Sequence, residues 1–383
     1  MTAPARPLRR LEVPRFALEC GAVLLDVTQA YHLDGALAPD GRNLVLVFHA
    51  LTGSADAAGP GTGWWREVVG PGRAVDPARC AVLCPNLLGS CYGTAWRGVE
   101  WRGAPGAAPN SAAAGRPPIT VRDQARFAAL LVESLGVPLD AGAVALVVGG
   151  SLGGMVALEW AAEYPDSARA VVALAAPAAH PAWAIAWNHL QRAALDLAGP
   201  GHEAEGLALA RQVAMLSYRT AAEWEARFGR EPALGGEAGD GGFAVEGYLA
   251  RHGARLVDRF DPAAYRTLLG AMDSHDVGRG RGGVGPALRR FHGLLVGVGV
   301  PGDVLYPAEV VRGWTADARA TYREVRSLVG HDAFLTEHEQ VGAILAEALA
   351  RALPAGAEAR GAPPGERRTR AEPAGTEEHA WAR

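Results

Sequence analysis

The residues best suited to chemistry in this sequence are a serine and the glycines around it. The motif Gly149-Gly-Ser-Leu-Gly153 follows an apolar run over 143–148 and precedes a helical pattern over 154–164. A G-x-S-x-G motif between a strand and a helix is typical of a nucleophile elbow, which places the serine hydroxyl at the carboxyl edge of a sheet. The glycines allow close backbone approach around a strained serine. The pattern therefore predicts Ser151 as a nucleophile.

A serine nucleophile needs a general base and an acid that orients the base. In sheets with such an elbow the three residues follow in the order Ser, Asp or Glu, His. Asp303 comes just after an apolar run over 294–298, and His331 comes after a second run over 321–325. Other histidines compete for the role of base, but their positions suit it less well. The order predicts His331 as the base and Asp303 as the orienting acid.

Acyl transfer at a serine also needs two amides that bind the developing oxyanion. One comes from the residue after the nucleophile, here Leu152, and the other from a loop that follows an early strand. The apolar run over 44–48 leads directly into His49-Ala-Leu-Thr-Gly53. We therefore expect the amides of Leu51 and Leu152 to form the oxyanion hole.

These residues need a parallel sheet with helices on its faces to bring them together. Short apolar runs that alternate with helical patterns predict such a doubly wound, mostly parallel α/β sheet. The predicted strands are 44–48, 81–84, 143–148, 170–174, 294–298 and 321–325, and the helices are 121–135, 154–164 and 307–318.

The stretch over 177–290 interrupts this alternation. It has helical patterns at 206–218, 221–228 and 263–272 and no convincing strand, so we expect an inserted α-helical cap. The catalytic domain would then comprise 1–176 and 291–353. The tail over 354–383 lacks apolar periodicity and is expected to be disordered. Two low-complexity segments, 103–117 and 229–242, are expected to be surface loops.

Composition and charge exclude several classes of function. The 383 residues include 37 basic and 41 acidic side chains, and every basic residue is an arginine. The absence of lysine excludes a phosphate-binding loop with its lysine, a pyridoxal Schiff base and any lysine general base. The formal net charge of -4 does not indicate binding to nucleic acid or to an anionic membrane. With no signal peptide and no apolar run of about 18 residues, a cytoplasmic protein is expected.

The cysteines and a glycine-arginine segment are two further candidates for metal-binding or cofactor-binding sites. Cys80 and Cys84 bracket a predicted strand that would point both thiols to one apolar face, and no CxxC pair occurs. Neither a metal site nor a disulfide scaffold is therefore expected. The segment 278–283 matches G-x-G-x-x-G but follows a helical pattern, which does not support a dinucleotide fold. Its arginines suit either an anionic cofactor or a solvated connector.

Nine segments, in order along the chain from about residue 12 to 350, carry a resemblance to one enzyme family. They are 49–53 (HALTG), 86–93 (NLLGSCYG), 149–155 (GGSLGGM), 206–219 (GLALARQVAMLSYR), 245–249 (VEGYL), 259–261 (RFD), 274–283 (SHDVGRGRGG), 303–307 (DVLYP) and 330–335 (GHDAFL). Together they resemble homoserine O-acetyltransferases, a branch of the α/β-hydrolase superfamily.

The resemblance implies a ping-pong reaction. Ser151 would take an acetyl group from acetyl-CoA, the co-substrate, and pass it to the hydroxyl of L-homoserine, with no permanently bound cofactor or metal. Arg211, Tyr218 and Asp332 stand where the family holds the amino acid. Arg211 and Tyr218 are two helical turns apart and face the same way, a guanidinium suits a carboxylate, and Asp332 suits an ammonium. The family also implies a homodimer and a role in methionine biosynthesis.

Three departures from the family pattern leave alternatives open. After Cys91-Tyr-Gly93 the chain continues with Thr94-Ala-Trp-Arg97 where the family has Ser/Thr-Thr-Gly-Pro, Leu152 replaces a common Met, and Gly302 replaces a common Ser. The first departure lies on the side of the acyl donor, so succinyl-CoA as donor and serine as acceptor stay open. The other classes are an esterase or thioesterase and a binding protein with a vestigial triad. A large cap favours transfer, which requires water to be excluded.

Overall fold

A nine-stranded, mostly parallel sheet forms the centre of the molecule. The computed structural model describes residues 6–101, 116–233 and 242–353. The strand order is β1-β2-β4-β3-β6-β7-β8-β9, with β5 paired to β2. The strands are β1 (Arg9–Ala17), β2 (Ala22–Asp34), β3 (Leu44–Phe48), β4 (Ala81–Pro85), β5 (Gly98–Trp101), β6 (Val144–Gly150), β7 (Ala168–Leu174), β8 (Leu294–Gly299) and β9 (Thr321–Glu324). The pairs from β4 through β9 are parallel, whereas β1, β2 and β5 pair in antiparallel fashion.

Helices cover both faces of this sheet. They are α1 (Val121–Ser134), α2 (Leu152–Glu163), α3 (Ala182–Ala198), α4 (Glu203–Tyr218), α5 (Ala221–Phe228), α6 (Ala244–Val257), α7 (Pro262–Asp273), α8 (Val284–Leu288), α9 (Ala308–Ala318), α10 (Ala333–Thr336) and α11 (His338–Ala352). No described helix has both the length and the apolar character needed to span a membrane.

The core lies on both sides of the sheet, as a doubly wound fold requires. Side chains of β3 alternate between two clusters: Leu44, Leu46 and Phe48 pack with α1 and α2, and Val45 and Val47 pack with α11. This alternation follows from the two-residue period of a strand. Because both faces are covered, every residue of β3, β4 and β6 is buried. The predicted α/β class is confirmed.

All six predicted strands are present, with bounds that differ from the predicted ones by at most two residues. β6 runs on to Gly150 and α2 begins at Leu152, so Ser151 alone separates strand from helix. The antiparallel strands β1, β2 and β5 were not predicted. β1 and β5 mix charged with apolar residues, and in β2 the apolar run over 22–25 is followed by polar and charged residues. Cys80 and Cys84 contact the same cluster of the core, as expected, and all four cysteines are free thiols.

Within the described residues, six helices, α3 to α8, lie between β7 and β8, and we refer to the stretch 177–290 as the helical insertion. α5 has the predicted bounds, and α4 and α7 extend slightly beyond theirs. α3, α6 and α8 were not predicted. The tail 354–383 and most of the two low-complexity segments lie outside the described residues.

Candidate active site

Ser151 occupies a strained turn that its glycine neighbours make possible. Its φ is 54° and its ψ is -122°, a conformation that costs free energy for a residue with a side chain. A Cβ at Gly153 would lie 2.1 Å from the carbonyl oxygen of Phe48, and one at Gly149 would lie 2.3 Å from the carbonyl carbon of Gly153. Larger residues are therefore excluded where β3, β6 and the start of α2 meet, and the serine is held at the head of α2.

The structure brings Ser151, His331 and Asp303 together in one hydrogen-bonded row. His331 Nε2 lies 2.9 Å from Ser151 Oγ, and His331 Nδ1 lies 2.7 Å from Asp303 Oδ2. Asp303 Oδ1 accepts the backbone amides of Leu305 at 2.8 Å and Tyr306 at 2.9 Å. Asp303 is therefore held at both oxygens, and it orients the imidazole so that Nε2 faces the serine.

Four causes act on the pKa of His331. Burial lowers the pKa, but the charge of Asp303, the hydrogen bond to Asp303 and the charge of Asp332 outweigh burial and raise it above the ordinary value of 6.5. Both carboxylates stabilise the imidazolium that forms when the base accepts a proton. The arrangement suits general base catalysis followed by return of the same proton.

Tyr306 links this row to the helical insertion. Its ring packs edge-on against the imidazole of His331, with centroids 5.2 Å apart. Its hydroxyl lies 2.9 Å from His180 Nε2, and His180 Nδ1 lies 3.3 Å from Asp273 Oδ1. Asp273 in turn pairs with Arg192. Tyr306 is thus buried with its hydroxyl bonded, and the orientation of His331 is supported from the insertion side.

The turn over residues 50–53 bears directly on the expected oxyanion hole. The carbonyl of Ala50 accepts the amide of Gly53 at 2.9 Å and lies 2.7 Å from His49 Nδ1. A trans peptide is planar with its N–H opposite its C=O, so these bonds turn the Leu51 amide the other way. In the described part of the chain, neither the Leu51 nor the Leu152 amide has a hydrogen-bond partner. Leu152 is the first residue of α2, where amides lack intrahelical acceptors.

His49, an alternative base by sequence, has a different place. It is fully buried, and burial lowers its pKa from 6.5 to about 4. Its Nε2 accepts the amide of Leu87 at 3.1 Å, so the single proton of the neutral ring lies on Nδ1 and is donated to Ala50. His49 therefore holds the turn, and its two nitrogens are not available to a substrate.

A cavity of about 60 Å³ opens beside the triad. Besides Ser151 and His331 it is lined by Ala50, Leu51, Thr52, Gly53, Trp64, Arg211, Tyr218, Asp332, Phe334 and Leu335. The three residues expected to bind substrate therefore share one cavity with Ser151, the predicted nucleophile. A larger cavity, of about 610 Å³, lies between α3, α7 and residues 116–120 and contains none of the predicted site residues.

Arg211 and Tyr218 extend from α4 towards the triad. The Arg211 guanidinium lies 5.4 Å above the ring of Tyr218, and that ring lies 5.6 Å from the imidazole of His331. The seven-residue spacing does place both side chains on one face of α4, as expected. The three groups lie in the order guanidinium, phenol, imidazole, so the ring of Tyr218 separates the Arg211 cation from His331 and Ser151.

Asp332 has a charged partner that was not predicted from the sequence. Arg219, whose side chain is almost fully buried, places Nη2 3.3 Å from Asp332 Oδ2 and Nη1 3.5 Å from Glu223 Oε1. One guanidinium therefore serves two carboxylates, and Glu223 has a second cationic partner in Arg227, whose Nη1 lies 3.7 Å from the same oxygen. Arg219 directly follows Tyr218 in a segment shared with the family, which is the signal that could have identified it.

The glycine-arginine segment contributes to packing. Arg281 pairs with Glu159 at 2.7 Å and with Glu163 at 2.6 Å, and Arg279 pairs with Glu19 at 3.0 Å. Glu159 and Glu163 occupy the Arg281 guanidinium, so the segment is more than a solvated connector. Arg279 is 46% exposed and pairs with Glu19 through Nη2 alone, so the alternative of an anion site stays open there. Among the residues that the structure describes, no cluster of histidine, cysteine and carboxylate side chains suits a metal ion.

Comparison with known proteins assigns this geometry to a family. Residues 43–231 match a family model described as the alpha/beta hydrolase fold. A homoserine O-acetyltransferase of Thermus thermophilus is 43% identical over 371 residues, covering 89% of this chain and 92% of the relative. The chain belongs to the homoserine O-acetyltransferase family. The resemblance found in the sequence is confirmed, and the protein is an acyltransferase of this fold.

Solved structures show how widely the homoserine O-acetyltransferase architecture is shared. The homoserine O-acetyltransferase of Staphylococcus aureus superposes with a TM-score of 0.72 at 28% identity, covering 90% of this chain and 95% of that one. Esterase E22 superposes with a TM-score of 0.76 at 19% identity, covering 90% of this chain and all of its own. The second likeness concerns the fold alone, so the choice between transfer and hydrolysis depends on the site.

Proposed function

We propose that the protein transfers the acetyl group of acetyl-CoA to the hydroxyl of L-homoserine through an acetyl-Ser151 intermediate. The observation that carries this proposal is the hydrogen-bonded row of Ser151, His331 and Asp303 beside a cavity that also holds Arg211 and Asp332. The row supplies a nucleophile and its base, and the two charged groups suit the two ends of an amino acid.

In the first half-reaction, Ser151 Oγ attacks the thioester carbonyl while His331 Nε2 takes its proton. The amides of Leu51 and Leu152 bind the oxyanion of the tetrahedral intermediate. Asp303 stabilises the imidazolium and keeps the tautomer that presents Nε2. Collapse of the intermediate expels the CoA thiolate, which receives the proton from His331, and leaves the acetyl ester on Ser151.

In the second half-reaction, the amino acid replaces CoA. Its carboxylate binds the Arg211 guanidinium, with Tyr218 between this group and the triad, and its ammonium approaches Asp332 on the side that Arg219 leaves open. The hydroxyl gives its proton to His331 and attacks the acetyl ester. Ser151 then regains the proton and leaves as the free alcohol, and O-acetyl-L-homoserine is released.

The charges of the cavity support an acetyl rather than a succinyl donor. Among the described residues that line it, Arg211 is the only arginine, and the substrate carboxylate claims it. A succinyl group would bring a second carboxylate close to Asp332 with no further cation to pair it. Burying an unpaired carboxylate is costly.

We also propose that the helical insertion, residues 177–290, acts as a cap on a catalytic unit formed by 1–176 and 291–353. Arg211 and Tyr218 both belong to α4 of this insertion and line the cavity. The cap would exclude water from the acyl-enzyme, which transfer to an alcohol requires. The four free thiols suit the cytoplasm, where we place the enzyme.

A homodimer is part of the same proposal. α3 exposes Trp183, Leu190 and Leu197 at intervals of seven residues, and α4, which packs against it, exposes Leu209 and Leu216 at the same interval. Apolar side chains two helical turns apart form a continuous stripe. A second copy of the chain would cover these two stripes and bury large apolar side chains that are 43% to 86% exposed in one copy.

The proposal is tested by following CoA release from acetyl-CoA or succinyl-CoA with L-homoserine, L-serine or water alone. We expect sustained release, beyond the first CoA per enzyme, only with acetyl-CoA and L-homoserine, and the acetyl ester of homoserine as product. Sustained release over many turnovers without any amino acid would indicate an esterase or thioesterase instead. Preference for succinyl-CoA or for serine would overturn the assignment of donor or acceptor.

A further inference from the structure

A charged side chain from the helical insertion holds the turn that carries the Leu51 amide. Arg259 lies between α6 and α7, and its Nη1 donates to the carbonyl of Thr52 at 2.7 Å. Its Nη2 donates to the hydroxyl of the same threonine at 3.3 Å. Nη1 also donates to the hydroxyl of Tyr92 at 2.8 Å. A single guanidinium thus binds both oxygens of Thr52 and is itself steadied by a tyrosine.

These bonds complete the support of the turn. His49 and Gly53 hold the carbonyl of Ala50, which sets the first peptide plane, and Arg259 holds the carbonyl of Thr52, which sets the last. The Leu51 amide lies on the first of these planes, and a movement of the last would tilt it. Hydrogen bonds from a charged donor are roughly twice as strong as neutral ones, so Arg259 is the strongest of these restraints.

We infer that Arg259 is a positioning residue for oxyanion stabilisation: it aims the Leu51 amide at the acyl oxygen by clamping Thr52. This inference rests on the proposed serine mechanism and extends it to a residue of the insertion. Arg259 is not among the residues that line the cavity, whereas Thr52 is. The guanidinium therefore acts on the reaction through the turn and does not touch the substrate.

The test uses the full-length enzyme and p-nitrophenyl acetate, an ester that needs Ser151 and the oxyanion hole but neither CoA nor homoserine. Stopped-flow release of nitrophenol gives the acylation rate constant and the dissociation constant of the ester. A small alkylboronic acid, which forms a tetrahedral adduct on the serine, serves as a transition-state mimic. The variants are Arg259→Met and Arg259→Lys, with Arg266→Met as matched control because Arg266 pairs with Asp196 at a partly exposed site.

We expect Arg259→Met to slow acylation by about 10- to 100-fold, which is less than the effect of removing an oxyanion donor outright. Binding of the boronic acid should weaken by a similar factor. The dissociation constant of the ester should change by less than about threefold, because ground-state contacts are not involved. Arg259→Lys should lose an intermediate amount of acylation rate, because a single ammonium nitrogen cannot reach all three acceptors in the positions that the planar guanidinium serves. Arg266→Met should behave like the parent enzyme.

Acylation by a folded Arg259→Met within about twofold of the parent would overturn the inference. The inference would also be overturned by a loss confined to the affinity for the ester, or by an equal loss of acylation rate in Arg266→Met. If Arg259→Met does not fold, Arg259→Lys decides by the same measurements. A parent enzyme that shows the ester burst but no transfer to homoserine would refute the proposed function while leaving this test valid.

Discussion

At the residue scale, the pH range of the reaction depends on His331, which must be neutral to accept the proton of Ser151. Asp303 and Asp332 together raise its pKa above 6.5 despite burial. Below that pKa the imidazole is protonated and inactive. We therefore predict that kcat/KM falls as the pH drops through a value above 6.5, and that a pH profile of p-nitrophenyl acetate acylation reports it.

The contribution of Asp332 can be separated from that of Asp303. Asp332→Asn removes one of the charges that raise the pKa of His331, so the acidic limb of the profile should move to lower pH. Asp166→Asn is the matched control, because Asp166 pairs with His292 on the surface, outside the cavity. An acidic limb that stays in place in Asp332→Asn, or moves equally in the control, would refute this account of the pKa.

At the scale of the element, the elbow depends on a glycine in the first turn of α2. A methyl group at Gly153 would lie 2.1 Å from the Phe48 carbonyl oxygen, whereas one at Gly313 of α9 would meet nothing within 4 Å. We predict that Gly153→Ala lowers the free energy of unfolding by about 2–4 kcal/mol and abolishes acylation, because β3 or the elbow must shift. Denaturant melts of both variants measure the difference.

The control variant, Gly313→Ala, is expected to change the free energy of unfolding in the opposite direction. Gly313→Ala in the exposed part of a helix should stabilise the protein by about 0.5–1 kcal/mol, since alanine loses less entropy on folding. Gly153→Ala with stability and activity equal to those of Gly313→Ala would show that the elbow tolerates a side chain and that the packing described here is wrong.

Local patterns made the elbow, the six parallel strands and the order of the catalytic residues predictable. They are encoded by short-range spacing, and the carboxyl ends of parallel strands meet at one edge. The pairing of Arg219 with Asp332 and the clamp of Arg259 on Thr52 were not predictable. These contacts join residues that are more than a hundred positions apart along the chain, and no local sequence pattern predicts such contacts. The antiparallel strands were missed because polar and charged residues are mixed with apolar ones along most of their length, and the apolar run over 22–25 covers only the start of β2.

At the scale of the whole molecule, the exposed stripes of α3 and α4 predict self-association. Replacing Leu190 and Leu197 together by glutamate would place two charges in a contact that buries leucine in each copy. We predict that this double variant halves the mass found by light scattering while the fold is retained. Leu328→Glu, at a leucine that is 55% exposed outside the stripes, should leave the mass unchanged. A monomeric parent, or a double variant of unchanged mass, would exclude this interface.

The central claim is that Ser151 carries the acetyl group between donor and acceptor. The most direct measurement is the intact mass of the protein, quenched in acid after mixing with acetyl-CoA alone. The account predicts the added mass of one acetyl group, mapped to Ser151, absent from Ser151→Ala and lost when L-homoserine is added before the quench. Formation of O-acetyl-L-homoserine by Ser151→Ala at the parent rate, or an acetyl group found on another residue, would contradict it.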